Sequence, residues 1–141
     1  MTRLYNIGVE PYLVAASLRA VLAQRLVRQI CSDCKEAMEI DTQMKRTLEQ
    51  LSTNGVSLKT VYHGTGCDKC RQTGYAGRVG LYELFTPDDE ILDAVSRGAS
   101  LQELRRMAIQ GDSYITLARD GIEKVAAGVT TVAELLTAAA L

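Results

Sequence analysis

Two short runs decide how this chain folds: Cys31-Ser-Asp-Cys34 and Gly66-Cys67-Asp-Lys-Cys70. They hold all four cysteines, as two Cys-x-x-Cys pairs with 32 residues between them. One reading is a tetrahedral metal site, each pair supplying two thiolates from a tight turn. A second is disulfide stapling, which fits an exported chain. No signal peptide is expected, since Arg3 and Glu10 interrupt the chain before an apolar run can build. A third is a thiol oxidoreductase using Cys31/Cys34 or Cys67/Cys70, but a redox motif needs only one such pair. The favoured reading is one structural zinc held by Cys31, Cys34, Cys67 and Cys70, because four thiolates close the coordination sphere where a catalytic site keeps a position open. Four thiolates and one Zn²⁺ take the formal charge from -1 to about -3. The single histidine, His63, is read as an exposed imidazole or one beside the ligands rather than as a ligand. Replacing Cys67 by Ser is expected to melt the Cys31–Phe85 region and leave the C-terminal helices standing.

The spacer is longer than that of a common zinc ribbon, so structure must fill it. Asp41–Leu51 supplies a helix with Met44, Leu48 and Leu51 on one face and Asp41 as N-cap. Ser52-Thr-Asn-Gly55 stops it, Val56–Tyr62 suits a strand, and His63-Gly-Thr-Gly66 turns the chain into the second pair. In each pair the second cysteine is followed by Lys35 or Arg71 and not by Gly, which predicts irregular turns. Gln72–Gly77 forms a turn and Arg78–Phe85 the best strand.

Val9–Arg28 reads as a helix with apolar residues on several sides. Such a helix predicts a second apolar face, and with it self-association of the fragment as a dimer, reversible by Leu13→Glu or Val27→Glu. Arg19, Arg25 and Arg28 read as solvated or ion-paired. Downstream, Thr86-Pro-Asp-Asp89 opens a helix that buries Ile91, Leu92 and Val95 and ends at Gly98. The capping box Ser100-Leu-Gln-Glu103 opens another with Leu101, Leu104 and Ala108 inward. Ile115–Ala127 and a last helix behind the capping box Thr131-Val-Ala-Glu134 complete the chain. The fold class is therefore α+β, mostly α: a small four-cysteine zinc module with short antiparallel strands, flanked by an N-terminal helix and a C-terminal helical bundle. The divisions fall at 1–30, 31–86 and 87–141.

The 141 residues fit one domain or two very small ones. With 47% hydrophobic and 23% charged residues, disorder is excluded as a class. Sixteen Lys+Arg against seventeen Asp+Glu speaks against a nucleic-acid binder, although Lys35, Lys69, Arg71 and Arg78 surround the cysteine pairs. No stretch approaches the roughly 20 apolar residues of a membrane span. There is no phosphate-loop motif, no dinucleotide fingerprint and no serine elbow, so no catalytic or nucleotide-binding residue is assigned. Gly64 and Gly66 read as backbone freedom beside the metal.

Taken in order, Val9-Glu-Pro-Tyr12, Val21-Leu-Ala-Gln-Arg-Leu-Val-Arg28, the first cysteine pair, Gly66-Cys-x-x-Cys-x-x-Thr-Gly-Tyr75 and Gly77-Arg-Val-Gly-Leu-Tyr-Glu-Leu84 resemble the C-terminal part of the type II secretion ATPases. The type IV pilus assembly ATPases are close relatives of these. Asp120-Gly-Ile-Glu-Lys124 and Gly128-Val-Thr-Thr-Val-Ala-Glu134 add to the likeness. The resemblance implies a hexameric cytoplasmic ATPase, peripheral to the bacterial inner membrane, that drives secretion or pilus assembly. ATP and Mg²⁺ would bind only in the parent, whose catalytic boxes are expected upstream. Residues 1–30 would close the ATPase domain. Expected partners are the rest of that ATPase, neighbouring subunits and inner-membrane platform proteins. The spacer and the Leu81-Tyr-Glu-Leu84 strand favour the secretion branch; a free-standing nucleic-acid-binding zinc ribbon is the alternative outside the family.

Overall fold

The computed structural model describes residues 2–51, 58, 60–111 and 113–139. Among them are seven helices and five strands: α1 (Thr2–Asn6), α2 (Pro11–Ser17), β1 (Val21–Ile30), β2 (Lys35–Glu39), α3 (Thr42–Leu51), β3 (Thr60–Gly64), β4 (Tyr75–Phe85), α4 (Asp89–Ser96), α5 (Leu101–Gln110), β5 (Tyr114–Ile115), α6 (Leu117–Ala126) and α7 (Val132–Ala139). The mixed α+β class is as expected. The chain divides into two compact units, Met1–Ala23 with Glu83–Ile115 and Gln24–Tyr82 with Thr116–Leu141. The segment 31–86 is therefore shared between them, and the C-terminal helices are too.

The first unit packs α2, α4 and α5 around Val14, Ile91, Ala94, Val95, Leu104 and Ala108. Asp88 caps α4 by accepting a hydrogen bond from the Ile91 N–H at 2.9 Å. The cap is thus Asp88, two residues after the expected Thr86; its carboxylate, beyond Pro87, reaches the free N–H groups. Ser100 caps α5 as expected, its oxygen accepting from the Glu103 N–H. Leu104 and Ala108 point inward, but Leu101 is 66% exposed. β5 pairs antiparallel with the end of β4, Leu84 opposite Ile115 and Phe85 opposite Tyr114. Tyr114 and Ile115 are therefore strand, and α6 starts later than expected behind the Thr116 cap.

The second unit carries a core of Val27, Leu48, Val61, Leu81, Val125, Val132 and Leu135. β2 and β3 form an antiparallel hairpin ladder with Ala37 opposite Tyr62. α3 spans their connection, with Asp41 accepting from the Met44 N–H and with Leu48 fully buried, as the spacing requires. The expected stop at Ser52–Gly55 and the start of the expected strand at Val56 lie outside the described residues. β3 runs through His63 and Gly64, which the sequence assigns to a turn. β4 likewise begins at Tyr75, not Arg78.

The largest correction concerns Val9–Arg28. Only Pro11–Ser17 is helical, and Val21–Ile30 is a strand beside β4 in a sheet of order β1-β4-β5. The Gln24 amide meets the Tyr82 hydroxyl at one end of that pair, and Gln29 lies beside Gly77 at the other. Apolar residues scattered around a helical wheel are what a strand with apolar residues on both faces produces when read at the wrong period. Val27 is buried in the core, whereas Leu22 and Leu26 are 58% and 60% exposed. The continuous two-faced helix behind the expected dimer does not form. Val27→Glu would charge the core of the second unit rather than free a monomer.

Candidate metal centre

The first cysteine pair sits where β1 ends and β2 begins, and the second between β3 and β4. Each therefore occupies a turn whose ends are held by strands. The Cys31 N–H donates to the Gly74 carbonyl at 3.0 Å, and the Thr65 N–H to the Cys34 carbonyl at 3.0 Å, so both ends of the first knuckle are bonded to the chain flanking the second. Inside the second knuckle the Gln72 N–H bonds the Cys67 carbonyl, and the Thr73 hydroxyl bonds the Cys70 carbonyl at 2.6 Å.

Two glycines make this approach possible. A Cβ on Gly64 would stand 2.0 Å from the Gly74 carbonyl oxygen, and a Cβ on Gly74 2.4 Å from that of Gly64. Gly74 also has φ +76°. The expected irregularity after Cys70 is present: Arg71 and Gln72 have φ of +53° and +63°, a left-handed conformation that costs a side-chain-bearing residue roughly 1–2 kcal/mol. After Cys34, Lys35 passes directly into β2.

All four sequence-assigned ligands converge, their sulfurs lying within 4.8 Å of one another. The separations are 3.8 Å for Cys31–Cys67, 3.8 Å for Cys34–Cys70 and 3.7 Å for Cys67–Cys70. Four sulfurs at about 2.3 Å from a central ion form a tetrahedron with edges of about 3.8 Å. The cluster therefore has the size and donor set for a tetrahedral metal ion. No disulfide links any of the four. Cys31, Cys34 and Cys70 are buried and Cys67 is partly exposed.

Burial resists ionisation of Cys70, but N–H groups of Cys67 and Gly74 aimed at its sulfur prevail, and its thiol is lowered to about 6. Burial pushes the neighbouring Cys34 thiol up to about 12, against an N–H from Gly66. One thiolate thus forms readily while a neighbour resists a further negative charge. A divalent cation among the sulfurs removes that conflict. His63 is half-buried, is not among the converging groups, and its Nδ1 has no hydrogen-bond partner among the described residues.

The fastening of this centre to the C-terminal segment was not legible in the sequence. Glu134 accepts from the Arg28 backbone N–H at 2.8 Å and from its guanidinium at 3.0 and 2.7 Å. Hydrogen bonding from Arg28 holds the Glu134 carboxyl low despite its burial. The Arg28 guanidinium also lies 4.0 Å above the Tyr75 ring, whose hydroxyl meets Thr131. Thr130, fully buried, donates to the Arg28 carbonyl, and the Ile30 N–H bonds Val129. The capping box is only half formed: Thr131 accepts from the Glu134 N–H, but the Glu134 carboxylate is taken by Arg28. Lys35 lies over the Tyr62 ring and donates to the Ala127 carbonyl at the end of α6, while Lys69 pairs with Asp33. Two of the four basic residues near the knuckles are therefore engaged within the fold.

A small α+β chain with four cysteines clustered so that they could hold a metal ion is the class these features define. The chain belongs to the type II/IV secretion system protein family, whose model matches residues 1–137. It is 42% identical over 137 residues to the type II secretion system protein E of Dickeya dadantii, covering 96% of this chain and 26% of that protein. It is 43% identical to the type IV pilus assembly ATPase TfpB of Acinetobacter baylyi, covering 23% of it, and 37% identical to the type II secretion system ATPase E of Vibrio cholerae, covering 26%. The chain spans about a quarter of the length of these relatives.

Proposed function

We propose that this chain is the zinc-binding part of a type II secretion ATPase, non-catalytic in itself, in which the metal fixes a surface for docking. The observation that carries this reading is the set of sulfur separations of 3.7–3.8 Å, which fits a four-thiolate zinc shell. In it Cys31, Cys34, Cys67 and Cys70 would all be ligands, leaving no position for water or substrate. Zinc there neutralises thiolates and ties β1, β2, β3 and β4 together; it does not activate a water. ATP and Mg²⁺ belong to the remainder of such an ATPase, since these residues contain no phosphate-loop motif. In that reading residues 1–30 continue the ATPase domain. The module works at the cytoplasmic face of the inner membrane, against neighbouring subunits and platform proteins. Among the described residues no helix is long and apolar enough to cross a membrane.

Elemental analysis of protein purified under reducing conditions tests the metal. One zinc per chain is expected, and none would overturn it. The pilus branch stands as a second reading, because the pilus assembly ATPase TfpB is as similar to this chain as the secretion protein is. Deleting the gene separates the branches: loss of exoprotein release with surface fibres intact supports secretion, and the converse supports the pilus.

A further inference from the structure

Cys67 differs from the other three sulfurs in being partly exposed. It has two sulfurs at short range, Cys70 at 3.7 Å and Cys31 at 3.8 Å. Lys69, with a side chain 78% exposed, stands between Cys67 and Cys70 in the same turn and pairs with Asp33. Oxidation of cysteine follows thiolate character, access and a nearby resolving sulfur. Metal binding supplies the first, and the geometry around Cys67 supplies the other two.

We propose that Cys67 is an oxidation site through which a peroxide ejects the metal, an inference that rests on the zinc reading above. The Cys67 sulfur attacks the O–O bond of hydrogen peroxide. One oxygen passes to the sulfur, giving the sulfenic acid, and the other leaves as hydroxide. The Cys70 thiolate then attacks the sulfenic sulfur, the S–S bond forms and a second hydroxide leaves. The two sulfurs together lose two electrons and the peroxide gains them. Cys70 resolves rather than Cys31 because it lies in the same turn, three residues on, whereas Cys31 is on the other knuckle. The Cys67–Cys70 disulfide removes two of the four ligands. Cys31 and Cys34 cannot close the shell alone, and the zinc is released.

The test uses reduced, zinc-loaded full-length protein treated with hydrogen peroxide beside a chromophoric zinc chelator. One zinc should be freed per peroxide consumed. With dimedone present, the sulfenic-acid label should fall on Cys67 at least tenfold over the other three. Without it, peptide mapping should find the Cys67–Cys70 disulfide, and dithiothreitol should restore zinc binding. Zinc retained under a hundredfold excess of peroxide, or label spread evenly over the four cysteines, would overturn the proposal. Protein carrying no zinc before peroxide is added would overturn the zinc reading itself.

Discussion

Replacing Gly64 by Ala places a methyl group 2.0 Å from the Gly74 carbonyl oxygen, where about 3.0 Å is the closest approach a real Cβ makes. The obstacle is backbone, so no rotamer relieves it, and the two segments must part by about 1 Å. That movement breaks the bond from the Cys31 N–H to the Gly74 carbonyl and displaces the Gly74 N–H from the Cys70 sulfur. Two hydrogen bonds of about 1 kcal/mol each, with overpacking of roughly 1–3 kcal/mol, sum to about 3–5 kcal/mol. Metal sites tolerate ligand displacements of only about 0.2 Å, so the loss should reach zinc binding. If 2 kcal/mol of it does, affinity falls roughly 30-fold. The assay is chelator competition on the zinc-loaded protein, with thermal melting alongside. Gly98→Ala is the control: Gly98 has φ +72° but nothing within 4 Å of its Cβ position, so it should cost stability without weakening zinc. Zinc affinity in Gly64→Ala within twofold of the parent would refute the reasoning.

Cys67→Ser, or removal of zinc by a chelator, should unfold the second unit including α6 and α7, because structural zinc supplies on the order of 10–16 kcal/mol and these helices share its core; hydrogen exchange should show α4 and α5 still protected. This replaces the expectation that the C-terminal helices survive as a group. Glu134→Gln should cost about 1–2 kcal/mol at neutral pH, discounted for the solvent exposure of Arg28. Because folding lowers the Glu134 carboxyl, its stabilisation is present above the unfolded carboxylate range near pH 4.3 and is lost as pH falls through the folded value, so the two melting curves should converge in acid. Arg71→Gly should raise the melting free energy by roughly 1 kcal/mol by relieving a left-handed side-chain-bearing residue, and a lower melting point would contradict this. The purified chain should not hydrolyse ATP in a coupled phosphate-release assay, since phosphoryl transfer needs a phosphate cradle and a Mg²⁺ site.

The clustering of the four cysteines was legible because both halves of each knuckle are local: spacing alone brings Cys31 to Cys34 and Cys67 to Cys70. Helix α3 was equally readable, with Asp41, Met44, Leu48 and Leu51 all within one short run. What failed was non-local. Val21–Ile30 becomes a strand because β4 lies beside it, a partner some fifty residues away that helical periodicity cannot see. Leu101 fits an inward helical position, but the core of the first unit is filled without it. Glu134 reads as the second half of a capping box, and nothing local marks it for Arg28, 106 positions earlier. Gly64 was noted for freedom, but its use is the absence of a side chain against Gly74.

The Arg28–Glu134 clasp also imposes an order on synthesis. During translation the last cysteine, Cys70, is made 64 residues before Glu134. At about 5–20 residues per second, that leaves roughly 3–13 s in which all four thiols exist and the clasp partner does not. A metal captured in that interval closes the Cys31–Cys67 separation of 36 residues first and holds Arg28 three residues from a fixed point. The final segment then closes an effective span of about 67 residues instead of 106, a saving in chain entropy of about 0.4 kcal/mol. In the zinc-binding reading, metal supplied during translation should therefore raise the share of new chains that close this clasp.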